Sequence, residues 1–181
     1  MSQHKTLRAR FFYSVLLLCI LLALVIQPAL AQTYRFQVLR YNADVYINED
    51  GTVSLAYLYE FRNDPSADAI DAVDIGLPTR SYELSSVRAQ INGQALTNID
   101  RSPYVDPGIA VDLGAYDIQP GKTGEVTVQI GIVREMLYKA SAEEAEPYAS
   151  FQFEPNFFGS EYVSGNTEAT VTLHLPANLK S

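Results

Sequence analysis

Cysteine, histidine and tryptophan are nearly missing from this chain. Its one cysteine, Cys19, falls within the first 31 residues, tryptophan is absent, and of the two histidines only His174 lies beyond residue 31. A disulfide or a thiolate nucleophile is therefore excluded from residues 32–181. One histidine and no cysteine cannot assemble a zinc site of the usual nitrogen and sulfur donors. Any Ser-His-Asp mechanism would have to run through His174, and no G-x-S-x-G stretch marks a serine nucleophile. Positive charge is also scarce. Three of the 13 basic residues and none of the 21 acids fall before residue 32, leaving ten bases against 21 acids, a net charge of about −11. Such a surface repels phosphate backbones and anionic lipid headgroups, which argues against nucleic acid as a partner.

The first 31 residues have a different composition from the rest. Lys5, Arg8 and Arg10 precede an uncharged, apolar run over 11–26 with Ser14 near its start, followed by Gln27-Pro28 and Ala29-Leu30-Ala31. A basic start, an apolar middle and a small-x-small ending describe a secretory signal peptide, with Ala29 and Ala31 before the cleaved bond and Gln32 after it. The apolar run has sixteen residues, and a spanning helix needs roughly 20. Cys19 sits in mid-run behind Leu16-Leu17-Leu18, which is not the place of a lipidated cysteine. Residues 1–31 are expected to be a signal peptide and residues 32–181 one exported domain. Membrane attachment would then come only from an uncleaved signal or from a helix downstream of Ser181. The cysteine-free exported part fits a bacterial envelope. Its end, just after a strand closing at Pro176, is expected to be the front of a longer, membrane-anchored chain.

Within 32–181, period-two alternation dominates. Over 52–61, Val53, Leu55, Tyr57, Tyr59 and Phe61 share a face opposite Thr52, Ser54, Ala56, Leu58 and Glu60. Over 125–133, Val126, Val128, Ile130 and Ile132 share a face, and over 167–175, Ala169, Val171, Leu173 and Leu175 oppose Thr170, Thr172 and His174. Each pattern predicts a strand with one buried and one wet side. Asn48-Glu49-Asp50-Gly51 predicts a turn between strands at 44–47 and from Val53, and Asn92-Gly93 a hairpin between 87–91 and 94–96. Pro155 predicts an edge or bulge in a strand over 149–158. Residues 136–146 read as a short helix or a solvated acidic loop. Roughly eight or nine strands with turns every ~8–12 residues predict an all-β, antiparallel β-sandwich of immunoglobulin-like architecture behind a signal-peptide helix.

Several motifs in the first half carry a resemblance. Tyr41-Asn42-Ala43-Asp44-Val45-Tyr46-Ile47 leads into Asn48-Glu49-Asp50-Gly51-Thr52-Val53, then Tyr59-Glu60-Phe61, then Ile75-Gly76-Leu77-Pro78. The succession resembles the N-terminal extracytoplasmic domain of a family of bacterial membrane proteins catalogued as domain of unknown function 2207. The resemblance implies a β-sandwich held outside the membrane, often followed by transmembrane helices. It supplies no active site.

Few residues are candidates for chemistry. Asp64, Asp68 and Asp71 belong to the densest acidic run and are candidate calcium ligands, since calcium takes several oxygens from one or two loops. The D-x-[DN]-x-[DN]-G spacing is missing there, and a solvated loop is the competing reading. Asp100, Asp106 and Asp112 form a weaker second group. His174 is expected on the wet face of its strand. Paired carboxylates for glycoside hydrolysis cannot be nominated among so many acids. Twelve tyrosines and eight phenylalanines mostly occupy strand positions and fill a core. Phe157 and Phe158 are adjacent, so in a strand they point to opposite faces. With Tyr162 they mark a candidate interaction surface. The expectation is a non-enzymatic structural or interaction module of an envelope protein, with no cofactor, whose partner is an unidentified protein or envelope component. Its oligomeric state is open. The alternative is a calcium- or carbohydrate-binding sandwich.

Overall fold

The computed structural model describes residues 33–139 and 148–177. The signal sequence, with Ala29, Ala31 and Gln32, lies outside the described residues, as do residues 140–146 of the candidate acidic helix. The fold is an all-β sandwich. Its strands are β1 (Phe36–Ile47), β2 (Val53–Asn63), β3 (Ala72–Gly76), β4 (Val87–Ile91), β5 (Gln94–Leu96), β6 (Ile99–Arg101), β7 (Gly108–Asp112), β8 (Thr123–Val133), β9 (Leu137–Lys139), β10 (Ala149–Phe151) and β11 (Glu168–His174). A six-stranded sheet has the order β11-β1-β2-β8-β4-β5, a three-stranded sheet the order β3-β7-β6, and β9 pairs with β10. The apolar faces of the two larger sheets join in a single buried cluster. The excess over eight or nine strands comes from three-residue pieces such as β6, β9 and β10, too short for alternation to show.

The two expected turns form as their sequences require. Gly51 has φ +82°, and Asn92 and Gly93 have φ +49° and +81°. That is the left-handed pair which matches a two-residue hairpin to strand twist. The inner face of β2 holds Val53, Leu55, Tyr57, Tyr59 and Phe61, all buried. Two bulges alter the alternation on either side of it. Between Val38 and Arg40 the β1 register shifts against β2. The extra residue lets Phe36 and Val38 face inward before it and Tyr41, Ala43 and Val45 after it. On β8, Ile130 pairs with Leu55 and Val133 with Val53, so two residues of β8 oppose one of β2. Val133, not Ile132, takes the inward place. Simple alternation had put Ile132 there, and the bulge at Gly131-Ile132 corrects it.

Aromatic rings dominate the inner face of β1 and β2. Tyr41 stacks on Tyr59 at 5.0 Å and lies 6.2 Å from Tyr57, and Tyr59 continues to Phe61 at 5.8 Å. Phe36 meets Phe61 edge-on at 5.5 Å. The segment 152–163, expected to contain the rest of a strand, is irregular and crosses this face. Its Phe158 meets Phe36, Tyr59 and Phe61 edge-on at 5.5–5.8 Å, and its Phe153 stacks beyond Tyr57 at 6.5 Å. Pro155 and the demands of this ring packing end β10 at Phe151.

After the crossing the chain returns alongside β1. Phe36 N–H donates to the Tyr162 carbonyl and Ser164 N–H to the Phe36 carbonyl, both at 2.9 Å. From there β11 runs parallel to β1, with Tyr41, Ala43 and Val45 beside Ala169, Val171 and Leu173. This parallel pair departs from the expected antiparallel arrangement, because a crossover rather than a hairpin precedes β11. The apolar side of β11 was expected to be buried. Instead Val171, Leu173 and Leu175 are 47%, 45% and 59% exposed. They continue the inner face past the point where anything in the described residues covers it.

Burial raises the Tyr41 hydroxyl from its ordinary value of 10.0 to about 12 and raises those of Tyr57 and Tyr59 as well. A folded value above the unfolded one means a contribution that is complete below pH 10 and is lost as pH climbs through the folded value. The phenolate absorbance of Tyr41, Tyr57 and Tyr59 and the near-ultraviolet dichroism are therefore expected to change together, in one cooperative step above pH 10. These three tyrosines titrating gradually near 10 with the fold intact would contradict this packing.

Candidate functional site

Among the described residues an open cleft of about 590 Å³ is present. Its walls are the end of β3 with Leu77 and Pro78, the loop Val105–Pro107, the corner Glu135-Met136 before β9, and residues 152–157 of the crossing segment. Local chemistry sets each wall. Ser102 Oγ donates to Asp74 Oδ1 at 2.5 Å and accepts from the amides of Tyr104 and Val105, which curls the loop. Leu77 N–H donates to the Pro107 carbonyl at 2.9 Å, tying that loop to β3. Tyr82 donates its hydroxyl to the Gly108 carbonyl at 2.8 Å, and the Arg101 guanidinium lies 4.7 Å over the Tyr82 ring. Met136 is buried beneath the corner.

Asn156 is the hinge between this cleft and the aromatic core. Its Oδ1 accepts from the Gly76 amide at 3.0 Å. A side chain at position 76 would collide with that atom, at 2.6 Å from a Cβ, so a glycine is required for the contact. The residue after it, Phe157, is 77% exposed at the cleft, while Phe158 turns into the core. Tyr162 is half-exposed and fixed by its backbone to β1.

The cleft carries three acids. Asp106 is held by Arg80 through two contacts, Nε to Oδ1 at 3.0 Å and Nη2 to Oδ2 at 2.5 Å. That guanidinium keeps its carboxyl below the usual carboxylate range. Glu135 accepts from Ser81 Oγ at 2.5 Å, and Glu154 lines the wall. With Tyr138 and Phe157 exposed beside them, the cleft offers hydrogen-bond acceptors and ring faces. These are groups that hold a hydroxyl-rich or cationic ligand.

The calcium candidates do not come together. Asp64 Oδ1 accepts from the Ser66 amide and hydroxyl at 2.8 and 2.6 Å, which lowers its pKa. Asp68 accepts from the Thr33 amide at 2.7 Å, and Asp71 from the Tyr34 hydroxyl at 2.5 Å. Among the described residues no three histidine, cysteine, aspartate or glutamate side chains are grouped to hold a metal ion. Each of the three carboxylates is bonded to a different donor: Asp64 caps its own turn, whereas Asp68 and Asp71 tie down Thr33 and Tyr34 ahead of β1. The second acidic group disperses likewise, with Asp112 bound to Asn98 and the Gly114 amide, Asp100 to the Arg101 amide, and Asp106 to Arg80. His174 lies on the wet side of β11, its Nε2 2.7 Å from Asp44 Oδ1 and its ring stacked on Tyr46 at 4.2 Å. The cleft itself went unseen in the sequence. Its walls are far apart along the chain, and the sequence singled out Phe157 only as an aromatic adjacent to another and Asp106 only as a member of the second acidic group.

No family model and no curated protein matches this chain. Solved structures with likeness to it include a two-domain M1 zinc metallopeptidase mutant bound to L-arginine. It is 15% identical, with a TM-score of 0.46 over 81% of this chain and 34% of that one. The M1 zinc metallopeptidase from Deinococcus radiodurans is 16% identical, with a TM-score of 0.38 over 58% and 22%. Legionella pneumophila aminopeptidase A in complex with aspartic acid is 9% identical, with a TM-score of 0.39 over 64% and 13%. This chain spans about a third or less of the length of each.

Asn156→Ala is expected to lower stability by about 1–3 kcal/mol, the cost of leaving a part-buried amide unbonded. It is also expected to loosen residues 153–158. Urea unfolding measures the first effect and amide exchange the second. A loss under about 0.5 kcal/mol with unchanged exchange would show that Asn156 does not join cleft and core.

Proposed function

We propose that the chain is an exported, non-enzymatic β-sandwich module that works by binding another protein or an envelope component outside the cytoplasm. The observation that carries this reading is the stripe Val171, Leu173 and Leu175. It lies on the inner face of the sheet, beside the buried Ala43 and Val45, yet is open to solvent. Apolar surface that continues a core face without cover favours association. The signal sequence supports an extracytoplasmic setting, and the resemblance to the N-terminal domain of an envelope family agrees with it. The scarcity of histidine and cysteine after residue 31 supports a role other than catalysis. A second reading, sugar binding at the cleft, is favoured by Phe157 and Tyr138 standing exposed beside Glu135 and Glu154.

Site-specific photo-cross-linking in intact envelopes tests the first reading. A photoreactive residue at Leu173 is expected to give protein adducts, and one at Gln129, exposed on β8, to give none. Absence of adducts at both positions would contradict a protein-binding role for this face. So would turnover of a peptide, ester or glycoside panel that is lost on Asp106→Asn. Glycan-array binding lost on Phe157→Ala would move the function to the cleft.

A further inference from the structure

The two edges of the six-stranded sheet are built differently. At one end β5 has three residues, Gln94–Leu96, the brevity by which sheets ordinarily avoid edge-to-edge pairing. At the other end β11 has seven, Glu168–His174, paired to β1 at every position without a register shift. It contains no lysine and no proline and is bonded to a strand on one side only. Among the described residues the usual devices against pairing are absent from it: bulge, proline, lysine and cover. Its inner-face side chains are exposed at the same place. One occupant must therefore satisfy both a strand edge and an apolar stripe.

We infer that the occupant is β11 of a second copy, paired antiparallel about Val171 and its own counterpart. This rests on the reading of β11 as an interaction face and names the partner. The sequence of β11 is complementary to its own reverse in this register. Ala169 opposes the second copy's Leu173, so the apolar stripe is doubled on the inner side. Thr170 opposes the second copy's Thr172 on the outer side, hydroxyl to hydroxyl. Glu168 opposes the second copy's His174, acid to imidazole, at both ends of the pair. Directly opposed residues in an antiparallel pair share a face and interact through their side chains. A slip of two residues keeps the faces but sets Glu168 against Thr172 or Pro176 and loses both contacts between Glu168 and His174. A slip of one turns the stripe to the wet side. The two-fold operation that results is that of a closed symmetric dimer, with one sheet continuing through both copies.

The test is sedimentation equilibrium on the full chain purified after export, together with cysteine cross-linking. A concentration-dependent dimer is expected. Val171→Lys should raise its dissociation constant at least about tenfold, with the thermal midpoint of the dilute monomer unchanged because the position is exposed there. Opposed residues of an antiparallel pair have Cα atoms about 4.5–5.5 Å apart, within reach of a disulfide. Under mild oxidation Val171→Cys should therefore give covalent dimer well above the parent chain, whose one cysteine, Cys19, falls within the signal sequence. Ala169→Cys, opposite Leu173 in this register, should give no more than the parent. A monomer at every concentration, a dimer indifferent to Val171→Lys, or equal cross-linking at 169 and 171 would each overturn the inference. A monomer that still gives Leu173 adducts to other proteins would overturn self-pairing alone and leave the interaction reading in place.

Discussion

The stack of Tyr41, Tyr57, Tyr59 and Phe61 on the inner face of β1 and β2 is the constraint from which the rest of the structure follows. Buried rings need apolar cover, and their hydroxyls need to stay uncharged. The three-stranded sheet supplies apolar partners in the common core. The crossing segment supplies Phe153 and Phe158 against the rings themselves. Roofing the rings makes that segment irregular, exposes Phe157 at its turn, and places Asn156 against Gly76 to form one wall of the cleft. It also carries the chain across the sandwich, so that β11 enters parallel to β1 at the outer edge. Ring packing, cleft and open edge are thus one arrangement.

Much of the fold was legible because it is local. The alternation of β2, the Asn48–Gly51 turn and the Asn92-Gly93 hairpin each depend on a few neighbouring residues, and each appears where its chemistry requires. What was not legible depends on partners far along the chain. The bulge on β8 moves Val133 inward in place of Ile132, and nothing within 125–133 announces it except Gly131. Residues 149–158 have strand-like composition but serve as a roof, a choice dictated by rings on β1 and β2. The period-two pattern of β11 correctly marked a strand and its faces. It could not say whether the apolar face finds cover.

The candidate site shows the same division. Composition alone argued that acids would be plentiful and histidine scarce after residue 31. Only geometry shows that Asp64, Asp68 and Asp71 each bond a separate donor, whereas Asp106, Glu135 and Glu154 share a cleft. Convergence needs segments far apart in the chain, here the β6–β7 loop, the β8–β9 corner and the segment roofing the rings. The contrast between a brief edge at β5 and a long, uncovered one at β11 is likewise a property of topology.

The central claim is that the sandwich is closed around its aromatic rings and open at β11. Residue-resolved amide hydrogen exchange in dilute solution tests it most directly. The account predicts slow exchange through the ladders of β1, β2 and β8, and fast exchange at the β11 amides that face away from β1, because only one edge of that strand is bonded. Exchange along the whole of β11 as slow as in β2, in dilute solution, would contradict it.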